Sequence, residues 1–225
     1  MDRLKRYKRT LLCVAVLAAA MVATAGPGCS GCSGKAPLAY VPQDALYVGV
    51  VPSIAEAIKG AGALLDKFKD ETPVKMGLKQ NRARLVKELG FDPEKPETME
   101  AKGIDPSRGI VASVAADGVS SALVVGVTEQ AAMEKYLRET VTKMMGGGAT
   151  FKEKTVSGVK ATLVSMQGSE VPRMAWVHVK EHVVICPRAK DDKVAQHAAR
   201  LATQEQSIKE NRTFELLRGK LGKHH

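Results

Sequence analysis

The amino-acid sequence predicts an α+β fold, in which an antiparallel sheet carries its helices on one face. Three observations predict it: short valine-rich segments of strand length, turn signals between several of them, and amphipathic helical patterns at intervals. From Ala45 to Val156 the order is strand, helices, strand, strand, helix, strand. This is the split βαβ, or ferredoxin-like, order, which further strands then extend.

A proline separates the first strand from the first helix. Ala45–Val51 is a nearly continuous apolar run, and its length and valine content predict a strand buried on both faces of the sheet. Pro52 ends this strand. Ser53 follows, and Glu56 three positions later completes a capping box, in which each side chain satisfies a free backbone N–H at the start of a helix.

Helices are predicted wherever apolar residues recur at intervals of three and four. The first helix ends at Pro73, and a second pattern covers Leu78–Gly90, whose basic outer face we interpret as a solvated surface. A third helix covers Glu129–Met145. Asp191-Asp192 begins a fourth helix, and Thr213 begins a fifth.

The remaining strands come in three pairs, each separated by turn residues. The pairs are Gly109–Ala116 with Ser121–Thr128, Phe151–Val156 with Val159–Met166, and Arg173–Val179 with Val183–Pro187. Their turns lie at Asp117-Gly118, Ser157-Gly158 and Lys180–His182. Lysines alternate with other residues in Phe151–Val156, which predicts an edge strand of the sheet.

The N-terminus has the three parts of an export signal: a basic head, a short apolar segment and small residues before a cut. Leu11–Ala25 spans only 15 apolar or small residues, whereas a membrane-spanning helix needs about 20. We therefore predict a signal peptide at 1–28, a tether at 29–44 and one α+β domain at 45–225. The alternative division has one unit at 45–157 and an incomplete second unit at 158–225.

Two cysteines at the end of the signal predict a lipid anchor. Cys29 and Cys32 each follow a glycine, which resembles the lipobox of bacterial lipoproteins, where the cysteine becomes the lipidated first residue. A competing cut after Ala25 would release a soluble product. A third interpretation leaves the two cysteines free or joined in a small disulfide. Lipidation of Cys29 or Cys32 predicts a periplasmic or outer-membrane protein held on a membrane.

The charge of the exported part is modest. The chain carries +10 in total, and residues 1–28 contain five Lys/Arg and one Asp, so +6 remains without them. This excess fits attraction to anionic lipid headgroups or plain solubility. With aromatic residues at only 4% of the chain, base stacking is disfavoured, and we expect no nucleic-acid partner.

His178, His182 and Cys186 are the candidate metal ligands, because they recur at intervals of four. On a helix these residues would share a face. The surrounding segment alternates and is rich in β-branched residues, so it predicts a hairpin that leaves the two histidines on opposite faces or offset. Structural zinc needs four converging ligands. We therefore expect neither a metal nor another cofactor.

The sequence contains no recognisable catalytic motif. It has no G-x-S-x-G and no H-E-x-x-H, and its triple glycine at 146–148 is not followed by the Lys-Ser/Thr of a phosphate-binding loop. Cys186 is the one cysteine of the predicted domain, which excludes an internal disulfide there and favours a small buried residue.

Three stretches together resemble a family of exported bacterial proteins of unknown function, seen in deltaproteobacterial-type envelope lipoproteins. They are LAYVPQDALYVGVVPS at 38–53, LGFDPEKPETMEAKGIDPSRGIVASV at 89–114, and AWVHVKEHVVICPRA at 175–189 with SIKENRTFELLRGKL at 207–221. The resemblance implies an anchored body that alternates strand pairs with helices. It implies no catalytic residue.

These observations predict a lipid-anchored envelope protein that acts as a non-enzymatic binding or structural module, with an envelope protein as its expected partner. Two alternatives stay open. One is an exported hydrolase, which would need a polar cleft where titratable side chains converge, and the other is a carrier of a hydrophobic ligand, which would need an apolar cavity of several hundred Å³.

Overall fold

The computed structural model of the chain describes residues 37–66, 83–204 and 206–215. The predicted signal peptide, Cys29, Cys32, the helix end at Pro73 and the start of the second helix at Leu78 lie outside these residues. So does the part of the predicted fifth helix that follows residue 215. Within the described residues, no helix is both long enough and apolar enough to cross a membrane.

Seven strands form one antiparallel sheet, in the spatial order β1-β2-β3-β7-β6-β5-β4. Every pairing between neighbours is antiparallel. The strands are β1 (Tyr47–Val51), β2 (Ile110–Val114), β3 (Ser121–Gly126), β4 (Ala149–Val156), β5 (Val159–Met166), β6 (Pro172–Val179) and β7 (His182–Arg188). The predicted α+β class and antiparallel sheet are confirmed.

The succession of strands and helices is the predicted one, but the pairing differs from the split βαβ arrangement. In that arrangement the first strand lies inside the sheet, whereas β1 pairs with β2 alone and stands at one edge. Two meanders, β1–β3 and β4–β7, meet where β3 pairs with β7. Short turns favour pairing between strands that are neighbours in sequence, which explains why hairpins dominate the sheet.

The helices cover both faces of the sheet, not one as we predicted. They are α1 (Ile54–Asp66), α2 (83–89), α3 (Pro96–Glu100), α4 (Gln130–Met144) and α5 (Val194–Thr203). We name the two faces after the helices that pack on them. The α4 face buries Ile54, Met99, Met133, Leu137, Trp176 and Val183, and the α5 face buries Tyr40, Val124, Val177, Val184, Ala198 and Leu201.

Because side chains alternate along a strand, a single strand contributes residues to both cores. Val183 and Ile185 of β7 lie in the α4-face core, whereas Val184 and Cys186 lie in the α5-face core. Successive side chains of a strand point to opposite faces, so a strand that is apolar throughout needs cover on both sides. The apolar run of β7, buried from His182 to Cys186, therefore requires a helix on each face.

Several local predictions are confirmed at atomic detail. The Ser53 Oγ accepts a hydrogen bond from the Glu56 N–H at 3.2 Å, as in the first half of a capping box. β4 is an edge strand, as its alternating lysines predicted. The hairpin between β6 and β7 is also confirmed, but its turn is one residue shorter than predicted. The turn is Lys180-Glu181, and His182 opposes Val179 as the first residue of β7.

Gly109 allows β2 to begin against the end of β1. Its φ is +70°, and a Cβ at this position would collide with the backbone carbonyls of Val51 and Pro52. Gly118, in the loop between β2 and β3, has a similar φ of +67° but has no atom within 4 Å of the position a Cβ would take. Both glycines therefore have a left-handed backbone, but only at Gly109 would a Cβ also collide with neighbouring backbone atoms.

We expect Gly109→Ala to destabilise the protein more than Gly118→Ala. The left-handed backbone costs an alanine about 1–2 kcal/mol at either site, and the collision with Val51 and Pro52 adds about 1–3 kcal/mol at Gly109 alone. Denaturant unfolding of both variants measures the difference. Equal losses of stability would show that the end of β1 is not fixed by this contact.

Candidate functional site

A polar cluster lies on the α4 face, between α4 and strands β5 and β6. It consists of Glu134 and Arg138 from α4, Thr162 from β5, and Trp176 and His178 from β6. We call it the Glu134 cluster. Glu134 follows the buried Met133, which places it at the border between the apolar contact of the helix and solvent.

The carboxylate of Glu134 accepts from four side chains. Its Oε2 lies 2.6 Å from the Trp176 Nε1 and 3.0 Å from the His178 Nε2. Its Oε1 lies 2.7 Å from the Arg138 Nε and 3.3 Å from the Thr162 Oγ1. Two strands and one helix therefore converge on a single charged group.

The surroundings of Glu134 keep it ionised. Burial alone would raise the pKa of its carboxyl, but hydrogen bonds from His178, Trp176 and Arg138 and the charge of Arg138 lower that pKa to about 2. Hydrogen bonds that donate to a carboxylate favour its charged form. At neutral pH Glu134 is therefore an anion whose two oxygens are both occupied.

Arg138 connects the cluster to the charged edge of the sheet. Its guanidinium lies 5.0 Å from the centre of the Phe151 ring and 3.7 Å from the Glu153 carboxylate of β4. Lys160 of β5 pairs with the same carboxylate at 2.7 Å. These outer contacts are half exposed to solvent, so each contributes little stability on its own.

The geometry of the cluster suits positioning better than proton transfer. A general base needs a pKa near the working pH and a lone pair free for the substrate. Glu134 has neither, and the Nδ1 of His178 is buried without a hydrogen-bond partner. The cluster instead fixes the position of α4 on β5 and β6.

A second polar group, which we call the Arg108 cluster, lies at the start of β7. Arg108 pairs with Asp105 at 2.6 Å and also with Glu181 in the β6–β7 turn. Burial alone would raise the pKa of the Asp105 carboxyl, but hydrogen bonds from Ser107 and Arg108 lower it. The cluster connects the loop before β2 to the turn between β6 and β7.

His182 is buried next to the Arg108 cluster. It is 2% exposed, its ring centre lies 5.4 Å from that of Tyr40, and its Nε2 has no hydrogen-bond partner. Burial and the charge of Arg108 lower the pKa of His182 below its ordinary value. Its position is that of a neutral core residue.

The structure does not bring the three candidate metal ligands together. His178 lies on the α4 face with Trp176, whereas His182 and Cys186 point to the α5 face. Cys186 is fully buried, and burial raises the pKa of its thiol. Across the described part of the chain, no group of three or more His, Cys, Asp or Glu side chains could hold a metal ion.

An open groove of about 770 Å³ lies beside the first described residues. Polar and apolar atoms contribute about equally to its wall, which is formed by Pro42, Gln43, Asp44, Arg200, Gln204, Gln206 and Asn211. Two of these side chains are already engaged, because Gln204 donates to the Ala39 carbonyl and Asn211 to the Gln43 carbonyl. The groove thus differs from the apolar cavity that a carrier of hydrophobic ligands would need.

Sequence analysis did not single out Glu134 or Arg108. The spacing of Glu134 and Arg138 by four on a helix is a visible signal for a surface ion pair. Nothing local, however, indicates that Trp176 and His178 lie beside them, because 42 and 44 positions separate these residues from Glu134. Trp176 and His178 themselves share a face of β6, as residues two apart in a strand must.

No family model, curated protein or solved structure matches this chain. The resemblance to exported envelope proteins therefore stays a hypothesis based on the three stretches quoted above.

We expect Glu134→Gln to lower stability by about 2–3 kcal/mol at pH 7, since an amide cannot accept from donors at both of its ends. The folded pKa of about 2 lies below the ordinary value of 4.5. The stabilisation is therefore complete above pH 4.5 and lost as the pH falls towards 2. Urea unfolding of both proteins across this range should show their difference shrinking.

Glu139→Gln is the matched control, because Glu139 is an exposed residue of the same helix. We expect it to change stability by less than about 0.5 kcal/mol. A constant difference between the native protein and Glu134→Gln from pH 7 to pH 2 would contradict the assigned role of the carboxylate.

His182→Phe should make the protein less sensitive to mild acid. A histidine whose folded pKa is lowered binds a proton more readily in the unfolded chain, so stability falls as the pH drops below about 6.5. Phenylalanine keeps a ring beside Tyr40 but cannot bind a proton, so this pH-dependent loss of stability disappears. Thermal unfolding at pH 7.5 and pH 5 should show a smaller loss for the variant, and an equal loss would disprove the assignment.

Proposed function

We propose that this protein is exported, is held on a membrane by a lipid on Cys29 or Cys32, and acts there as a non-enzymatic binding or structural module. The observation that carries the proposal is the order of features at the N-terminus. A basic head, a 15-residue apolar segment and two cysteines that each follow a glycine precede the described domain. The resemblance to envelope proteins supports the same location.

The tether would keep the domain close to the membrane. Pro37 is the first described residue, five positions after Cys32 and eight after Cys29. An extended chain covers at most about 3.5 Å per residue, which gives a reach of about 18 Å from Cys32 or about 28 Å from Cys29. Either length is smaller than the width of a domain, so the body would rest against the bilayer surface.

The side chains of the body support binding rather than catalysis. The oxygens of Glu134 are occupied by donors, and the thiol of Cys186 is buried with a raised pKa. The groove beside Pro42 is open to solvent and not enclosed, which does not suit a hydrophobic cargo. Exposed apolar side chains occur instead on the surface, at Leu46 and Tyr47 at the start of β1.

Metabolic labelling with an alkyne analogue of palmitate tests the anchor. We expect the full-length chain to take up the label and to fractionate with membranes. The pair Cys29→Ser and Cys32→Ser should lose both properties, and the single variants should show which cysteine carries the lipid. Cys186→Ser is the control and should label like the native chain.

Persistence of the label in the double variant would overturn the lipid anchor at these positions. A native chain without label, whose N-terminus by mass spectrometry is Gly26, would instead support the cut after Ala25 and a soluble exported product.

A further inference from the structure

We propose that two copies of this chain pair through β1, edge to edge and antiparallel, to form one continuous sheet across a two-fold axis. The inference deepens the proposed function, on which it rests, because it names a second copy as the partner of the anchored module. The feature that suggests this pairing is β1 itself: an uncharged edge strand with exposed apolar residues, which lies next to the tether.

The β1 edge lacks the protection usual for an exposed strand. Among the residues that the structure describes, β1 pairs with β2 alone. No charged residue occurs from Ala45 to Ser53, Leu46 is 70% exposed and Tyr47 is 52% exposed. Edge strands of soluble proteins are normally blunted by charges, prolines or bulges, because their unpaired backbone groups accept another strand.

The opposite edge of the same sheet shows the usual protection. β4 carries Lys152, Glu153 and Lys154 in succession, all of them exposed. The sheet therefore has one edge where charges oppose the addition of a strand and one edge, β1, whose five residues include no charge and no proline. This asymmetry distinguishes β1 as the edge suited to pairing.

A second copy fits the chemistry of β1. Antiparallel pairing across a two-fold axis at Gly49 would oppose Val48 to Val50 of the other copy and Tyr47 to Val51. β-branched and aromatic residues are favourable cross-strand pairs, and no like charges meet. A partner strand of opposite charge would gain nothing here, because β1 offers no charge to recognise.

The two-fold axis is also compatible with a single membrane. An axis perpendicular to the sheet keeps each face on the same side in both copies. Tyr40, at the end of the 3₁₀ turn Pro37–Tyr40, belongs to the α5-face core, so the tether enters on that side. Both tethers would therefore leave the dimer towards the same bilayer, as two lipid anchors require.

Anchoring would compensate for the small area of a strand–strand interface. A single added strand buries less surface than a stable soluble dimer needs. Two copies held on one membrane by short tethers have a high effective concentration, and they lose less freedom on pairing. We therefore expect pairing on membranes and little pairing in dilute detergent.

Energy transfer between full-length lipidated copies in lipid vesicles tests the inference, with donor or acceptor dyes on a C-terminal tag. Native copies should show transfer above the level of copies placed at random. The double variant Leu46→Lys/Tyr47→Lys should fall to the random level, and so should Leu46→Glu/Tyr47→Glu.

Met166→Lys/Val171→Lys is the matched control, since these residues are similarly exposed at 42% and 44% but lie away from β1. It should behave like the native chain. Unfolding temperatures close to native for all variants exclude misfolding as the cause of a loss.

The inference is overturned if native copies stay at the random level, or if both charged variants keep native transfer. Palmitate labelling separates the two proposals. A labelled, membrane-bound chain without energy transfer contradicts pairing and leaves the anchor intact, whereas a chain without label contradicts the anchor itself.

Discussion

The position of the longest fully described helix depends on one half-buried carboxylate. Glu134 of α4 would be costly to place at the sheet surface without partners, since an ion loses its hydration there. Donors from β5, β6 and the next turn of α4 compensate for that loss. Because a hydrogen bond requires both distance and direction, the four donors also select one register of α4 on the sheet, which apolar contacts alone specify less sharply.

The opposite face is assembled differently. Ala195, Ala198 and Ala199 of α5 are buried, and these small side chains permit a close approach of the helix to β5, β6 and β7. Packing of this kind is favourable but not directional. The sheet thus has a face fixed by polar contacts and a face closed by small apolar ones. With both faces covered, its edges are the surfaces where the backbone can still form new hydrogen bonds.

Local chemistry explains which parts of this fold the sequence predicted. Hairpins such as Ser157-Gly158, the capping of α1 by Ser53 and the charged edge β4 depend on neighbours within a few residues, and all were predicted. The face on which a helix packs depends on the whole sheet, and a period of 3.6 residues carries no information about it. The Glu134 cluster was missed for the same reason, because its partners come from separate elements.

Most of β1 is covered on both faces, as predicted. Gly49 and Val51 are buried on one face, and Val48 and Val50 pack against the α5-face core on the other. The apolar run did not predict the position of β1 at an edge of the sheet. A continuous apolar run is typical of an interior strand, since an interior strand has a neighbour on each side and cover above and below. β1 has the composition of such a strand but one neighbour only. The other edge strand, β4, carries charged side chains, so edge strands in this chain are not uncharged as a rule. Pairing with a second copy would give β1 its missing neighbour, and its composition would then match its surroundings.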